Sequence, residues 1–182
     1  MFKVQIKQSI IDHCRKQIQK YNFGKRHSGN GSKSEQYVGI VGQSVVTDMF
    51  GKPLIDGSTG SDGGEDLNYH NLIIDVKTMI RTTDVKSDYV SNFVAFQKEF
   101  NTDVYIFTSC NKIKKEITIV GWIDKQSLLL KSELFKKGSL RHRSNNTSFK
   151  LRNDMYEIQN NKLYEVDNIE QLKRQLILYR GD

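Results

Sequence analysis

Residues 66–78 read Asp-Leu-Asn-Tyr-His-Asn-Leu-Ile-Ile-Asp-Val-Lys-Thr, which is a polar turn between two apolar stretches. The Asn and His residues at 68–71 favour a tight turn, so the segment predicts a β-hairpin. In an extended strand, residues two apart share a face. We therefore expect Asp75 and Lys77 to project together from the second strand, while Val76 points into an apolar layer on the other side.

The two acidic residues of this segment, Asp66 and Asp75, fall on neighbouring strands of the predicted hairpin. In proteins, Mg²⁺ binds one or two carboxylates and takes its other ligands from water and phosphate oxygens. A neighbouring lysine, here Lys77, orients or helps to deprotonate a metal-bound water and offsets the charge that develops on a phosphate. The three side chains predict phosphodiester hydrolysis, and the alternative is a structural ion pair between Asp75 and Lys77.

The acid-x-Lys pattern occurs twice in the chain, at residues 75–77 and 84–86, and its surroundings separate the two occurrences. Asp75 follows Leu-Ile-Ile and falls at the end of a buried strand, whereas Asp84 follows the polar stretch Arg-Thr-Thr. An unpaired charge in a buried strand is costly. Asp75 therefore requires a functional or structural partner, and Asp84 does not.

Apolar periodicity and turn residues predict the elements around this hairpin. The predicted helices are residues 4–20, 32–50, 89–100, 125–136 and 168–178. The predicted strands after the hairpin are residues 103–109 and 116–123, followed by a C-terminal pair at 155–158 and 162–166. Together these elements predict a single domain over residues 1–182, with a core at about 34–124 and a C-terminal extension at 125–182.

This arrangement resembles the PD-(D/E)XK, or restriction-endonuclease-like, nuclease superfamily over residues 35 to about 123. The resemblance implies an α/β fold with an αβββαβ core, in which helices flank a mixed central sheet, and a C-terminal α+β extension. It matches Asp66 and Asp75 with the two acids of the family motif and Lys77 with its lysine, while Glu65 stands where a proline often precedes the first acid. The implied activity is that of a DNA endonuclease in which a metal-activated water attacks the phosphodiester. The implied metal is Mg²⁺, with Mn²⁺ as a substitute.

The preceding helix often supplies a further acid in this superfamily, and here two residues compete for that role. Gly39-Ile-Val-Gly42 is followed by Gln43, a neutral amide in the place where relatives often carry glutamate. Glu35 is the second candidate, but Ser32 and Glu35 fit a capping box, which favours a structural role. The sequence leaves open which of the two completes the metal site.

The charge balance favours an anionic partner. The chain has 28 Lys and Arg against 21 Asp and Glu, a formal net charge of +7. We expect this partner to be DNA, although a charge run also suits a solvated face. The basic residues expected to contact phosphates are Lys25, Arg26, Lys33, Arg141, Arg143, Lys150 and Arg152.

Apolar runs in the chain are short compared with the roughly 20 residues that a membrane span needs. The N-terminus also lacks the apolar stretch of a secretory signal, so we expect a cytoplasmic protein with no membrane partner. Paired cuts in duplex DNA would favour a homodimer. The alternatives are a Holliday-junction resolvase or exonuclease of the same fold, and a nucleic-acid-binding protein whose nuclease core is inactive.

Overall fold

The structure, a computed structural model, describes residues 1–23, 31–59, 63–142 and 147–181. Within these residues, a five-stranded sheet lies at the centre. In spatial order its strands are β1 (Phe2–Gln5), β6 (Glu116–Asp124), β5 (Val104–Asn111), β3 (Leu72–Arg81) and β2 (Leu67–Tyr69). β3 and β5 run parallel, and the other neighbouring strands run antiparallel. The mixed α/β class and the mixed central sheet that the sequence predicts are confirmed.

Helices cover one face of this sheet. They are α1 (Gln8–Lys20), α2 (Lys33–Met49) and α4 (Ile169–Arg180), whereas α3 (Lys125–Lys131) lies on the other face. Buried side chains of α1, α2 and α4 form one apolar cluster with Ile74, Val76 and Ile106 of the sheet. Among the described residues, no helix has both the length and the apolar character that a membrane crossing needs.

A second, smaller antiparallel sheet and α3 cover the other face. Its strands are, in spatial order, β4 (Val90–Val94), β10 (Met155–Gln159) and β7 (Glu133–Phe135). Phe93 and Ile158 of the smaller sheet pack against Tyr105, Phe107 and Ile123 of the central sheet. An exposed hairpin of β8 (Leu140–His142) and β9 (Ser148–Lys150) lies between β7 and β10 in the chain.

A close contact between Gly42 and Thr78 fixes α2 against β3. A Cβ atom at position 42 would lie 1.9 Å from Thr78 Oγ1, so only glycine permits this approach. Thr108 on β5 donates a hydrogen bond of 2.9 Å to Thr78 Oγ1, which ties the same point to the next strand. The contact places α2 on the face of β3 that bears Val76 and Thr78.

Two local predictions are confirmed. β2 and β3 form the predicted hairpin, and its turn residues His70 and Asn71 have φ values of 49° and 60°. Both fall in the left-handed region, where two-residue hairpin turns place their central residues. At the start of α2, Ser32 Oγ accepts from the Glu35 N–H at 3.2 Å and the Glu35 carboxylate accepts from the Ser32 N–H at 2.7 Å, which is the predicted capping box.

The predictions for residues 4–20 and 89–100 are wrong in part. Residues 2–5 form β1, which pairs with β6 of the central sheet, and the helix begins only at Gln8. Residues 90–94 form β4, and only Ala95–Glu99 are helical, as a 3-10 helix. In both places, pairing with a strand that is distant in the chain outweighs the local helical pattern.

The C-terminal third also differs from its prediction. α3 ends at Lys131, and β7 follows it. Residues 155–158 and 162–166 do not pair with each other, because β10 lies between β4 and β7. Tyr164 instead forms a single bridge with Trp122 at the edge of the central sheet.

Candidate active site

Asp75 and Lys77 form an ion pair between the two sheets. They lie on the face of β3 opposite to Val76 and Thr78, as the alternation of the strand requires. Asp75 is 2% exposed, and its Oδ2 lies 2.5 Å from Lys77 Nζ. The Lys77 side chain is 14% exposed. The angles of this contact fall outside those of a hydrogen bond, so Asp75 Oδ2 has a charge partner but no hydrogen-bond donor among the described residues.

Asp66 lies at the edge of β3 beside this pair. Its backbone N–H donates to the Ile74 carbonyl at 2.9 Å, and its Oδ2 accepts from the Val76 N–H at 2.6 Å. These two bonds bracket Asp75, so the structure brings Asp66, Asp75 and Lys77 into one region. β2 begins only at Leu67. The Asp66 carboxylate accepts from the Val76 N–H, to which a backbone carbonyl of a longer β2 would otherwise bond.

The loop before Asp66 is held against the start of β5. Gly64 has a φ of 91°, and a Cβ atom there would lie 2.7 Å from the Phe100 ring. Thr102 Oγ1 donates a hydrogen bond of 3.0 Å to the Gly64 carbonyl. The glycine-rich loop therefore sets where Asp66 enters the sheet.

Tyr105 is a residue of this region that the sequence does not reveal by itself. It lies on β5 in register with Asp75 and is fully buried. The Lys77 ammonium lies 5.9 Å from the centroid of its ring. Burial and the negative charge of Asp75 raise the pKa of the Tyr105 hydroxyl, and Thr102 offsets part of this shift. Only the parallel pairing of β3 with β5 brings Tyr105 here, and that pairing joins segments about 30 residues apart.

The structure does not bring Gln43 or Glu35 to Asp75. Gln43 is buried on α2, which packs on the opposite face of β3. Glu35 caps the start of α2, where Lys112 Nζ donates to Ser34 Oγ at 3.4 Å. Because Lys112 follows the end of β5, this end of α2 lies near the far end of β3, away from Asp75.

The basic residues fall into different environments. Lys25, Arg26 and Arg143 lie outside the described residues. Lys150 and Arg152 are exposed, and Lys33 is exposed with its Nζ donating to the Ile18 carbonyl at 3.0 Å.

Arg141 differs from these residues because it forms two contacts within the fold. It forms a two-point ion pair with the buried Glu157, and its guanidinium lies 3.9 Å from the centroid of the Phe135 ring. Its predicted phosphate contact therefore competes with an internal partner.

A basic patch surrounds the start of α2. Hydrogen bonds from Ser32 lower the pKa of Glu35, and the charge of Arg152 lowers it further, so Arg152 lies near this helix end. Lys33 and Lys112 flank the same point. The patch, defined as Lys33, Lys112 and Arg152, lies at the end of α2 that is near the far end of β3, away from Asp75.

The second acid-x-Lys segment has a structural role. Asp84 pairs with Lys3 at 3.1 Å and with Lys114 at 2.8 Å, and it accepts a hydrogen bond from Asn111 Nδ2 at 3.2 Å. Hydrogen bonds from Lys114 and then Lys3 lower the pKa of Asp84 from 3.8 to about 2. The cluster is exposed, so solvent and salt screen it.

We predict that Asp84→Asn lowers the thermal midpoint slightly at pH 7 and low salt. The folded-state pKa is depressed, so the stabilisation by Asp84 is complete above about pH 4 and is lost as the pH falls towards 2. The difference in midpoint between wild type and variant should therefore shrink as the pH falls from about 4 towards 2, and also in 1 M NaCl. A difference that is constant with pH would contradict this assignment.

Asp66 and Asp75 can be tested against the requirements of a metal ion. The described residues contain no group of three or more His, Cys, Asp or Glu side chains that could hold a metal ion. A site of two carboxylates suits Mg²⁺, whose other ligands are water and phosphate oxygens. The buried Asp75 oxygen that lacks a hydrogen-bond donor fits such a role. The residues present therefore fit a Mg²⁺ or Mn²⁺ site.

Comparisons with protein-family models, with curated proteins and with solved structures give no match to this chain. The case for a function therefore depends on the geometry of residues 66–77 and of the strands that carry them.

Proposed function

We propose that this protein is a metal-dependent nuclease of the PD-(D/E)XK type that hydrolyses phosphodiester bonds in DNA. The observation that supports this proposal best is the placement of Asp66 around Asp75. The Asp66 carboxylate accepts from the backbone N–H of the residue after Asp75, and Lys77 contacts the Asp75 carboxylate. These residues occur in the chain order of the superfamily motif, with Asp66 directly before β2 and with Asp75 and Lys77 on β3.

The order of elements gives further support. From α2 the chain runs through β2, β3 and β4 to a 3-10 helix and then β5. This order corresponds to an αβββαβ unit with two departures. The connection to β5 is a short 3-10 helix, and β4 belongs to the smaller sheet.

Each side chain has a distinct role in the proposed reaction. Asp66 and Asp75 would hold the divalent ion, which when bound lowers the pKa of a water and stabilises charge on the phosphate. Lys77 lies next to Asp75, where its ammonium can orient the attacking water and donate to a phosphate oxygen. Both side chains are largely buried, and burial strengthens electrostatic interactions.

The test is incubation of the purified full chain with circular and linear DNA in Mg²⁺, in Mn²⁺ and in EDTA. We expect nicking of circles with either ion and none in EDTA, since circles have no ends for an exonuclease. A matched control is available in the chain: Asp66→Asn should abolish cleavage, whereas Asp84→Asn should not. Cleavage that persists in EDTA or in Asp66→Asn would contradict the proposal. A four-way junction substrate and the oligomeric state in solution test the resolvase and homodimer alternatives.

A DNA-binding protein without cleavage is the second candidate. It is favoured by the nearly complete burial of Asp75 against Lys77, which is also the geometry of a structural ion pair. This candidate predicts equal DNA affinity in Mg²⁺ and EDTA, with circles left intact.

The basic residues give a prediction that applies to both candidates. The double variant Lys150→Ala, Arg152→Ala should reduce the slope of log affinity against log salt by about two, because each phosphate contact contributes roughly one unit. Its stability should stay within about 0.5 kcal/mol of wild type, since both side chains are exposed. An unchanged slope would show that these residues do not contact DNA.

Arg141→Ala serves as the contrast. It leaves the buried Glu157 without its partner, so the free energy of unfolding should fall by roughly 2 kcal/mol while the salt slope stays close to wild type. Adding Glu157→Gln should recover part of the loss, and equilibrium denaturation measures both effects.

A further inference from the structure

Tyr105 belongs to the same cluster as Asp75 and Lys77. The register of the parallel strands places Tyr105 beside Asp75, and Tyr105 faces the smaller sheet. The Phe93 ring of β4 lies 5.3 Å from the Tyr105 ring, and Lys77 Nζ lies 5.9 Å from its centroid. The ring of Tyr105 is thus held on one side by an aromatic contact while it offers its π face to the ammonium, an attractive arrangement.

Two buried polar atoms in this cluster lack hydrogen-bond partners among the described residues. They are the Tyr105 hydroxyl, whose contact with Thr102 falls outside hydrogen-bond geometry, and Asp75 Oδ2, whose contact with Lys77 does the same. Buried polar groups in native proteins nearly always have a partner, so each exception needs an explanation. Here one atom is a donor and the other an acceptor, and both lie on the same face of neighbouring strands. A tyrosine hydroxyl is protonated at neutral pH, so it remains a donor.

We propose that Tyr105 is a positioning residue of the candidate site: its hydroxyl holds a water that is shared with Asp75, while its ring supports the Lys77 ammonium. A single bridging water would give the hydroxyl an acceptor and the carboxylate oxygen a donor. The inference rests on the proposed function, in which Asp75 would hold the divalent ion. Tyr105 would then act on the ion through the water, as outer-shell partners do.

The first test measures Mn²⁺ binding to the full chain by calorimetry in the absence of DNA. Tyr105→Phe removes only the hydroxyl and keeps the ring, so the fold and the Lys77 contact should be retained. Its Mn²⁺ affinity should fall roughly tenfold, as is typical when an outer-shell partner is lost. The matched control is Tyr156→Phe, because Tyr156 packs against the same Phe93 ring from the smaller sheet. That control should bind Mn²⁺ like wild type.

Asp75→Asn is the reference that separates this inference from the proposed function. If Asp75→Asn loses Mn²⁺ binding but Tyr105→Phe does not, the inference is overturned and the proposed function stands. If wild type binds Mn²⁺ no better than Asp75→Asn, the proposed function fails, and a metal-free crystal structure decides the role of Tyr105. A water within hydrogen-bond distance of Tyr105 Oη and Asp75 Oδ2, lost in Tyr105→Phe, supports the inference. The absence of a water between these two atoms in the wild-type crystal structure overturns it.

Discussion

Asp75→Asn is expected to reduce Mg²⁺-dependent cleavage by roughly 100-fold or more, because it removes a carboxylate that would hold the ion in the proposed reaction. It should also lower the free energy of unfolding by about 3 kcal/mol, since it leaves the ammonium of Lys77 largely buried without its counter-charge. Cleavage of circular DNA and urea denaturation measure the two effects separately.

The double variant Asp75→Asn, Lys77→Met distinguishes the site from a structural ion pair. Removing both charges of a buried pair is often close to neutral, so the double variant should regain most of the lost stability. It should still fail to cleave. Normal cleavage by Asp75→Asn would show that the site is assigned to the wrong residue. Restored cleavage in the double variant would show that the activity loss came only from instability.

Gly42→Ala is expected to destabilise the protein by about 3 kcal/mol. The added methyl group would lie 1.9 Å from Thr78 Oγ1, a distance that forces α2 away from β3. This cost exceeds the gain of at most about 1 kcal/mol that alanine brings to a helix interior. Thr78 directly follows Lys77 on β3, so a displacement of Thr78 should also move Lys77. We therefore expect cleavage to fall as well. Thermal denaturation and the circular-DNA assay measure the two changes.

Gly39→Ala is the matched control, since nothing lies within 4 Å of a Cβ at that position of the same helix. It should raise stability by up to about 1 kcal/mol. The double variant Gly42→Ala, Thr78→Ala should recover part of the lost stability. Equal effects of the two glycine substitutions would contradict the close approach of α2 and β3.

The sequence predicts those parts of the fold that depend on local chemistry. The hairpin turn at His70 and Asn71 and the capping box of Ser32 and Glu35 each rest on residues at most three apart, and both are confirmed. β1 and β4 are missed because their partners lie far along the chain, at β6 and β10. A local pattern carries no information about such pairing.

The residues of the candidate site also divide into those that local sequence brings together and those that distant strand pairing brings together. Asp66, Asp75 and Lys77 are adjacent through a two-residue turn, so their proximity follows from the hairpin alone. Tyr105 reaches Asp75 only through the parallel register of two strands, and Arg141 meets Glu157 only through a hairpin that folds back on the smaller sheet. Gln43 lies away from Asp75 because α2 packs on the opposite face of β3. The close contact between Gly42 and Thr78 fixes α2 on that face.

The side chain of Asp66 has a consequence for self-association. β2 pairs only with residues 72–74, while β3 continues to Arg81, so the carboxylate of Asp66 ends the ladder by accepting from the Val76 N–H. Charged side chains at such positions are one means by which proteins prevent their sheet edges from pairing with other chains. Removing this carboxylate frees a backbone donor at an edge long enough to template a strand. Asp66 therefore affects both the solubility of the protein and its proposed activity. Variants at this position should scatter more light as the protein is concentrated, in addition to losing activity.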